Sequence, residues 1–586
     1  MNTIDRRVFL SGLAGSWFAA SAHPAQYPPP QAPTELASGT CWLDVAAPFV
    51  AVDPALRLSS DLLLTATCFP GVDGFRDSHY ATEYQVLLYD AAGKEIPLDH
   101  QGKLTISAMR PVLVDLQKMA GRDSFFGGAR VRLAPSPNQV PRAGDLFSAG
   151  FMRWDLPGNF DNVHAHPAAP QQAIGHYNYS MPFPPLSEFH CAFSLFNPND
   201  EQSHGTVRVV DRLGRTIVER PYELYPHQTT LYTVADLKTA ATPGEALALA
   251  PLREPRLADG GVIVVRNRSD RVSFAYTFMK GREGRSFTVE HPLHFSADAP
   301  MKPARATPYG PNRSFPSQAL VYTPLLFRGL SLGGLELESR VYLSSSRWVE
   351  EALWMMPFVT TGDGQIAWVS NRDDRLPQRV APSAVTDQGL LRLTEFQSCR
   401  IDARVLPLPD RFSGGFGVAT IPKTSHSLNK VEVRAVNWGR VAFTHFRPGG
   451  AIAKSYRQAE ERGDLASDYI VSGAHLIRGK RDCILAIMNI EFEDDFAGNP
   501  KLQLFGPSGL VGEKLLPVFP SLACRHVLLS ELFPGVQSDP AHPFTVRMEV
   551  REALMIVSAL HIDYERQDIA LEHGSDRHST FQDFKC

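Results

Sequence analysis

The chain has 586 residues, 44% of them hydrophobic and 10% aromatic, enough for several buried cores and too apolar for a globally disordered protein. Lys and Arg number 58 against 62 Asp and Glu, for a net charge of −4, which argues against a protein that works by gripping nucleic acid with a basic surface. The sequence holds no apolar run of the roughly 20 residues that a membrane-spanning helix needs, so no integral membrane span is expected.

The chain opens with Arg6-Arg7-Val8-Phe9-Leu10, followed by the weakly apolar stretch Ser11 to Ala22, which ends in Ala20-Ser21-Ala22. Paired arginines, Phe-Leu, an apolar stretch and an A-x-A pattern in this order resemble the twin-arginine (Tat) export signal of bacteria. The resemblance implies that Arg6, Arg7, Phe9 and Leu10 are read by the Tat translocase and that Ala20 and Ala22 mark the cleavage site. It also implies a periplasmic or secreted destination, reached by a chain that crosses the membrane already folded. Residues 1–22 are thus expected to be an address, and the Pro-rich residues 23–39 a spacer.

Beyond the spacer the sequence reads as short alternating strands punctuated by Gly, Pro, Asn and Asp. The clearest block runs from Phe193-Ser-Leu-Phe-Asn197 through Thr206–Val210, a hairpin turn at Asp211-Arg-Leu-Gly214, and Leu231–Leu237, to the pair Gly261–Val265 and Val272–Phe278. The same order returns at Ile484–Asn489, Leu502–Phe505, Val527–Leu532, Thr545–Arg547 and Leu554–Ala559, which marks an internal duplication. Weaker copies surround Val86–Gly93 with Leu146–Phe151, and Val431–Phe446, with Phe147, Phe274, Phe443 and Met555 taken as equivalent anchors. The expected fold is all-β, with about four tandem modules of generic immunoglobulin-like β-sandwich type strung in a row. Their expected bounds are 40–175, 176–298, 318–453 and 473–586, with a Pro-rich linker at 299–317 and a short helix or linker at 454–472.

No tight catalytic motif stands out, and no catalytic residue is assigned. Gly329-Leu-Ser331-Leu-Gly333 spells G-x-S-x-G, but an alternating strand follows where a nucleophile elbow needs a helix, so a glycine-rich turn is expected. Histidines gather where the modules end: His164, His166 and His176; His291 and His294 beside Glu290; His573 and His578 beside Glu572. Imidazole with carboxylate is a transition-metal ligand set, which makes these the candidate metal residues. Acidic groups at Asp73 and Asp77, Asp200 and Glu201, Asp373 and Asp374, and Glu493 to Asp495 are candidate calcium ligands or ordinary turn formers. Tyr177, Tyr179, Phe183, Trp348 and Trp354 are candidate sugar-stacking aromatics or core residues. Of seven cysteines, Cys41 with Cys68 and Cys483 with Cys524 are possible pairs in an oxidising compartment, or buried thiols.

The expected function is that of an exported binding or structural module at the bacterial cell envelope, with a glycan or envelope protein as partner, no nucleic acid and no resident cofactor. The alternative is an exported hydrolase or metal-dependent enzyme whose histidine site lies between modules.

Overall fold

The computed structural model describes residues 44–67, 81–107, 109–133, 147–156, 159–164, 166–168, 177–269, 273–291, 293–297, 319–345, 353–369, 391–406, 408–421, 429–449, 467–491 and 496–576. The fold is all-β: every strand pairing is antiparallel, and the described helices are single short turns such as Leu116–Ala120 and Leu529–Leu532. The export motif, the spacer, the 299–317 linker, the helix expected at Lys454 to Leu465, and Cys41 and Cys68 lie outside the described residues.

Eight sheets form four pairs, each drawn from one stretch of chain: Asp44–Ala168, Tyr177–Ala297, Ala319–Gly449 and Ser467–Asp576. The strand order repeats. In the second stretch one sheet runs Thr216–Leu224, Ser203–Asp211, Gly261–Asn267, Tyr177–Phe183, Leu293–Ala297; the other runs Thr229–Thr233, Phe189–Phe196, Phe274–Gly281, Phe287–Glu290, with the two-residue strand Thr239–Ala240 added outside Thr229–Thr233. The fourth stretch has the same plan, beginning with the strand Ser467–Ala474, part of which falls in the segment expected as linker. Period-two alternation builds each sandwich: Val207 and Val209 are buried while Thr206 and Arg208 are half-buried on the opposite face. The repeated asparagines close the strand ends. Asn197 Nδ2 donates to the carbonyls of Glu201, Leu224 and Tyr225, and Asn489 Nδ2 to those of Phe496 and Phe519.

The four stretches do not hang as a row of beads. Phe189–Phe196 and Met555–Asp563 are buried at every position, on both faces, because one face packs inward and the other against a neighbouring stretch. One apolar cluster accordingly joins Phe49, Leu62 and Val131 to Ala192, Tyr276 and Phe278. A second joins Leu337, Phe416 and Val431 to Ile484, Leu560 and Ile562.

Successive stretches meet head to tail through one recurring contact. A hairpin-turn carbonyl accepts from a strand N–H of the next stretch: Ala91 O from Thr229 N (3.2 Å), Arg212 O from Ser398 N (3.0 Å) and Thr361 O from Cys524 N (3.0 Å). The turns end in Gly93, Gly214 and Gly364, with φ of 86°, 82° and 85°. A Cβ there would fall 2.2–2.5 Å from the carbonyl oxygen of Pro226, Glu395 or Ser521 of the next stretch. Glycine is therefore required twice over, by its left-handed backbone and by the approach. The last stretch returns to the first, where Thr65 Oγ1 lies 3.0 Å from Thr545 Oγ1 and Gly509 packs beside Arg110. A head-to-tail contact whose rotation closes makes a ring.

Candidate metal centre

The ring brings four edge strands together at its middle: Asn159–His164, Phe287–Glu290, Arg440–His445 and Asp568–His573. Each closes the same edge of its own sheet, and each touches its two neighbours around the ring. Packing edges against one another at an axis also shields them from pairing with other chains. At the end of these strands stand three histidines from three stretches. His291, His445 and His573 are 5%, 3% and 4% exposed, and one potential ligand atom from each lies within 4.8 Å of the others.

His291 Nε2 and His573 Nε2 are 2.9 Å apart. The His445 ring centroid is 3.9 Å from that of His573 and 4.4 Å from that of His291. Around this cluster lies a set of groups that orient it. His573 Nδ1 is 3.3 Å from Gly574 O, a contact in which only the nitrogen can donate, so the lone pair falls on Nε2. Nδ1 of His445 lies 3.4 Å from Glu290 Oε2, the carboxylate–imidazole arrangement that steers metal-binding histidines. Glu290 also faces Lys430 Nζ at 3.7 Å, and Glu572 Oε2 lies 3.5 Å from His561 Nε2. All four of these flanking residues are buried. Burial raises the Glu290 carboxyl to about 7 despite the pull of Lys430, and burial lowers the Lys430 ammonium, so each shift favours the neutral form.

Three imidazoles in a dry site are poor company for one another if protonated and a good nest for a cation. The donor set is nitrogen, which suits zinc, copper, nickel or iron and not calcium or magnesium.

Of the histidines singled out from sequence, His291 and His573 meet here, with Glu290 and Glu572 beside them. Backbone placement puts His164 at the end of its edge strand and His166 and His294 on the strands that follow; His176 and His578 lie outside the described residues. Sequence reasoning missed His445. Its strand was matched to the one before it, because Phe443 was aligned with Phe274; the structure instead makes Lys430–Ala435 the counterpart of Phe274–Gly281 and places Phe443 on the edge strand. With that corrected, the signal is plain: 127 residues separate His164 from His291, 154 separate His291 from His445, and 128 separate His445 from His573.

The other candidates resolve differently. Ser331 is exposed in a strand–turn–strand hairpin, Leu330–Leu332 against Leu335–Ser344, closed by Gly333 and Gly334 at positive φ, as expected of a turn. Asp200, offered as a calcium ligand, ion-pairs with His227 (3.0 Å) and Arg130 (3.7 Å). Asp73, Asp77, Asp373, Asp374, Glu493, Asp494, Asp495 and Trp348 lie outside the described residues. Phe183 is 3% exposed and belongs to the core, so it offers no ring to a sugar; Tyr177 and Tyr179 share its strand, and Trp354 sits on Leu353–Thr360. Cys483 and Cys524 do not pair. Strand register sets Cys524 opposite Met488 and Cys483 opposite His561, and both thiols are buried and reduced. The sequence matches no family model, and no curated protein is similar to it.

Proposed function

We propose that this is an exported metal-binding protein of the bacterial cell envelope, in which a transition metal ties three of the four sandwich units together at the ring axis. The observation that carries the reading is the convergence of His291, His445 and His573 from three separate stretches into one buried cluster. It joins the structural role expected of the modules with the inter-module histidine site expected of the alternative. The three ligands come from distant points in the chain, so the site exists only once the ring has closed, and metal entry follows folding. A twin-arginine signal, which exports folded chains, suits such a protein.

The test is metal content. The mature chain, purified after export and then exposed to excess Zn²⁺, Ni²⁺ or Cu²⁺ and desalted, is expected to retain one equivalent of metal by mass spectrometry. The His291→Ala and His573→Ala variants are expected to lose it. Retention of less than a tenth of an equivalent by the wild-type chain would refute the reading.

A further inference from the structure

Three of the four junctions of the ring are sealed alike, and the fourth is not. Apolar clusters span the first three: Phe49 and Ala129 with Ala192 and Phe278, Val262 and Val264 with Phe396, and Tyr322 and Phe358 with Ile487 and Met488. Each of these junctions also carries the hairpin-turn bond and a turn glycine pressed against a carbonyl oxygen of the next stretch. Where the fourth stretch meets the first, three buried hydroxyls face one another instead. Thr545 Oγ1 lies 3.0 Å from Thr65 Oγ1, and Ser472 Oγ lies 3.3 Å from Thr545 Oγ1 and 3.5 Å from Thr65 Oγ1. The position is the same one of the repeat: Gly128, Val262, Gly415 and Thr545 stand opposite Tyr89, Val210, Thr360 and Phe505, each four residues before the turn glycine. Gly128 there meets the ring of Phe196 and Gly415 the thioether of Met488, whereas Thr545 meets Thr65. A Cβ on the fourth turn glycine, Gly509, would meet the Arg110 guanidinium at 3.6 Å, an ordinary contact where the other three would collide. Among the described residues, no backbone bond joins this turn to the first stretch and no apolar cluster spans the junction. It is also the junction that the chain itself does not cross, since it brings the last stretch back to the first.

We infer that the fourth-to-first junction is the seam at which the ring opens, and that the metal reaches the histidine cluster through it. The second half of this inference rests on the metal-binding reading above and supplies its route. Apolar surface loses its burial when a junction parts, whereas hydroxyls that part exchange one another for water at small net cost. The connecting chain matters as well. At the other three junctions it keeps the parted faces near each other and so favours reclosure, and the last and first stretches have no such tether. Opening at the seam moves the first stretch away from the fourth. Its edge strand Asn159–His164 lies against Asp568–His573, so its departure uncovers the flank of the strand that carries His573. His291, His445 and His573 belong to the second, third and fourth stretches, and they stay together while the first one moves. In the closed ring they are only 3–5% exposed, so an ion needs an opening of this kind to enter or leave.

Thiol labelling of the full mature chain under native conditions reads the seam. Two buried native cysteines report on other junctions. Cys399 follows Ser398, whose N–H makes the turn bond of the second-to-third junction, and Cys524 Sγ lies 3.4 Å from Pro324 O across the third-to-fourth. Ser472→Cys and, from the other side, Thr65→Cys place a reporter in the fourth-to-first junction, and having two guards against either one failing to fold. Labelling that is slow relative to reclosing tracks the open population. The introduced thiols are expected to react at least about tenfold faster than Cys399 and Cys524, resolved by peptide mass spectrometry. Equal or slower labelling in both folded variants would overturn the seam. The route is read with Thr65→Cys combined with Thr545→Cys, at positions whose hydroxyl oxygens are close enough for a disulfide to replace them. Zn²⁺ is added to the metal-free chain and its uptake followed by native mass spectrometry. The oxidised staple is expected to slow uptake at least about tenfold without changing the final stoichiometry, and reduction is expected to restore the wild-type rate. Uptake at the wild-type rate through a closed staple would overturn the route. A wild-type chain that retains neither Zn²⁺, Ni²⁺ nor Cu²⁺ would overturn the metal-binding reading and the route with it, while the labelling rates would still decide where the ring opens.

Discussion

Two glycines at equivalent places in the ring set up a test of how tightly its units are joined. Gly128 in Phe125–Leu133 and Gly415 in Phe412–Ile421 each follow another glycine, and each faces the residue that precedes the repeated asparagine of the next stretch: Phe196 before Asn197, Met488 before Asn489. A Cβ at Gly128 would lie 2.4 Å from two ring carbons of Phe196, and one at Gly415 would lie 2.7 Å from the Met488 sulfur and the Thr360 hydroxyl. Ordinary contact is about 3.4–4 Å, so each neighbour must retreat by roughly 1 Å. Phe196 is fully buried and its rigid ring is already packed by Tyr89 at 6.5 Å, so Gly128→Ala belongs at the upper end of the overpacking range, about 3 kcal/mol. Met488 is unbranched and yields its thioether, so Gly415→Ala is expected to cost about 1 kcal/mol. The difference of about 2 kcal/mol corresponds to roughly 30-fold in the population of an opened interface. Limited proteolysis under native conditions reads that population when reclosing outpaces cleavage. Gly128→Ala should be cut far faster than Gly415→Ala, and adding Phe196→Leu to Gly128→Ala should recover part of the loss. Equal cleavage of the two variants, or faster cleavage of Gly415→Ala, would show that these interfaces do not carry the ring.

Three further outcomes are expected. Glu188 accepts from Arg340, Arg400 and Arg434 across the junction of the second and third stretches, at 2.7–2.8 Å, so Glu188→Gln leaves three guanidiniums facing one another. A buried pair broken in this way costs 3–5 kcal/mol; with Glu188 one-third exposed, about 2 kcal/mol is expected in the urea midpoint at pH 7. Acidification should act in two steps. His526 donates from Nε2 to Pro324 O at 2.6 Å and its Nδ1 has no hydrogen-bond partner, and burial pushes the imidazole down to about 4; stability is therefore full above pH 6.5 and falls as pH drops from 6.5 toward 4. Burial works to raise the Glu188 carboxyl, but Arg340 and Arg434 outweigh it and hold the group down to about 2, so its contribution is present above pH 4.5 and lost between 4.5 and 2. Glu188→Gln should abolish the second step alone, and unfolding curves from pH 7 to 3 check both. Finally, Arg6→Lys with Arg7→Lys should hold the chain in the cytoplasm on cell fractionation; export of the doubly substituted chain would refute the twin-arginine reading.

Much of the fold was legible because its signals are local. Alternating Val and Arg in Thr206–Val210 and the Asp-x-x-Gly hairpin turn identify a strand pair wherever they recur, and Asn197 and Asn489 mark the same corner twice. What was not legible depends on how the units meet. The continuous apolar run at Ile484–Met488, and the one at Cys191–Phe196 broken only by Ser194, carried the clue, since a strand buried on both faces needs a second partner beyond its own sandwich. Read as one-sided strands, they left the modules in a row. The metal centre was half visible for the same reason. His291 and His573 stood out beside Glu290 and Glu572, whereas His445, with Thr444 before it and no adjacent carboxylate, looked like part of an ordinary strand and was displaced by a one-strand error in aligning the third copy.

That asymmetry is also the argument for building the ring from one chain. Four identical subunits could place histidines on an axis as easily as one chain does, but they would repeat every flanking residue four times. Here the residues just before His291, His445 and His573 are Glu290, Thr444 and Glu572, and the partner across the sheet from His445 is Lys430. Two buried carboxyl groups and one buried amine thus stand beside the axis. Four carboxylates in the same dry volume would repel one another and take up protons instead of balancing an ion. Four ammoniums would expel it. A single chain with diverged copies can keep the ligand position constant and tune the charge around it one quarter at a time. Replacing Thr444 by Glu, which restores the symmetry by one more step, should therefore weaken the fold at neutral pH, and added Cu²⁺ should recover part of that loss by offsetting the extra charge. A Thr444→Glu chain as stable as wild type without metal would mean that the flanking charges are not matched to an ion at all.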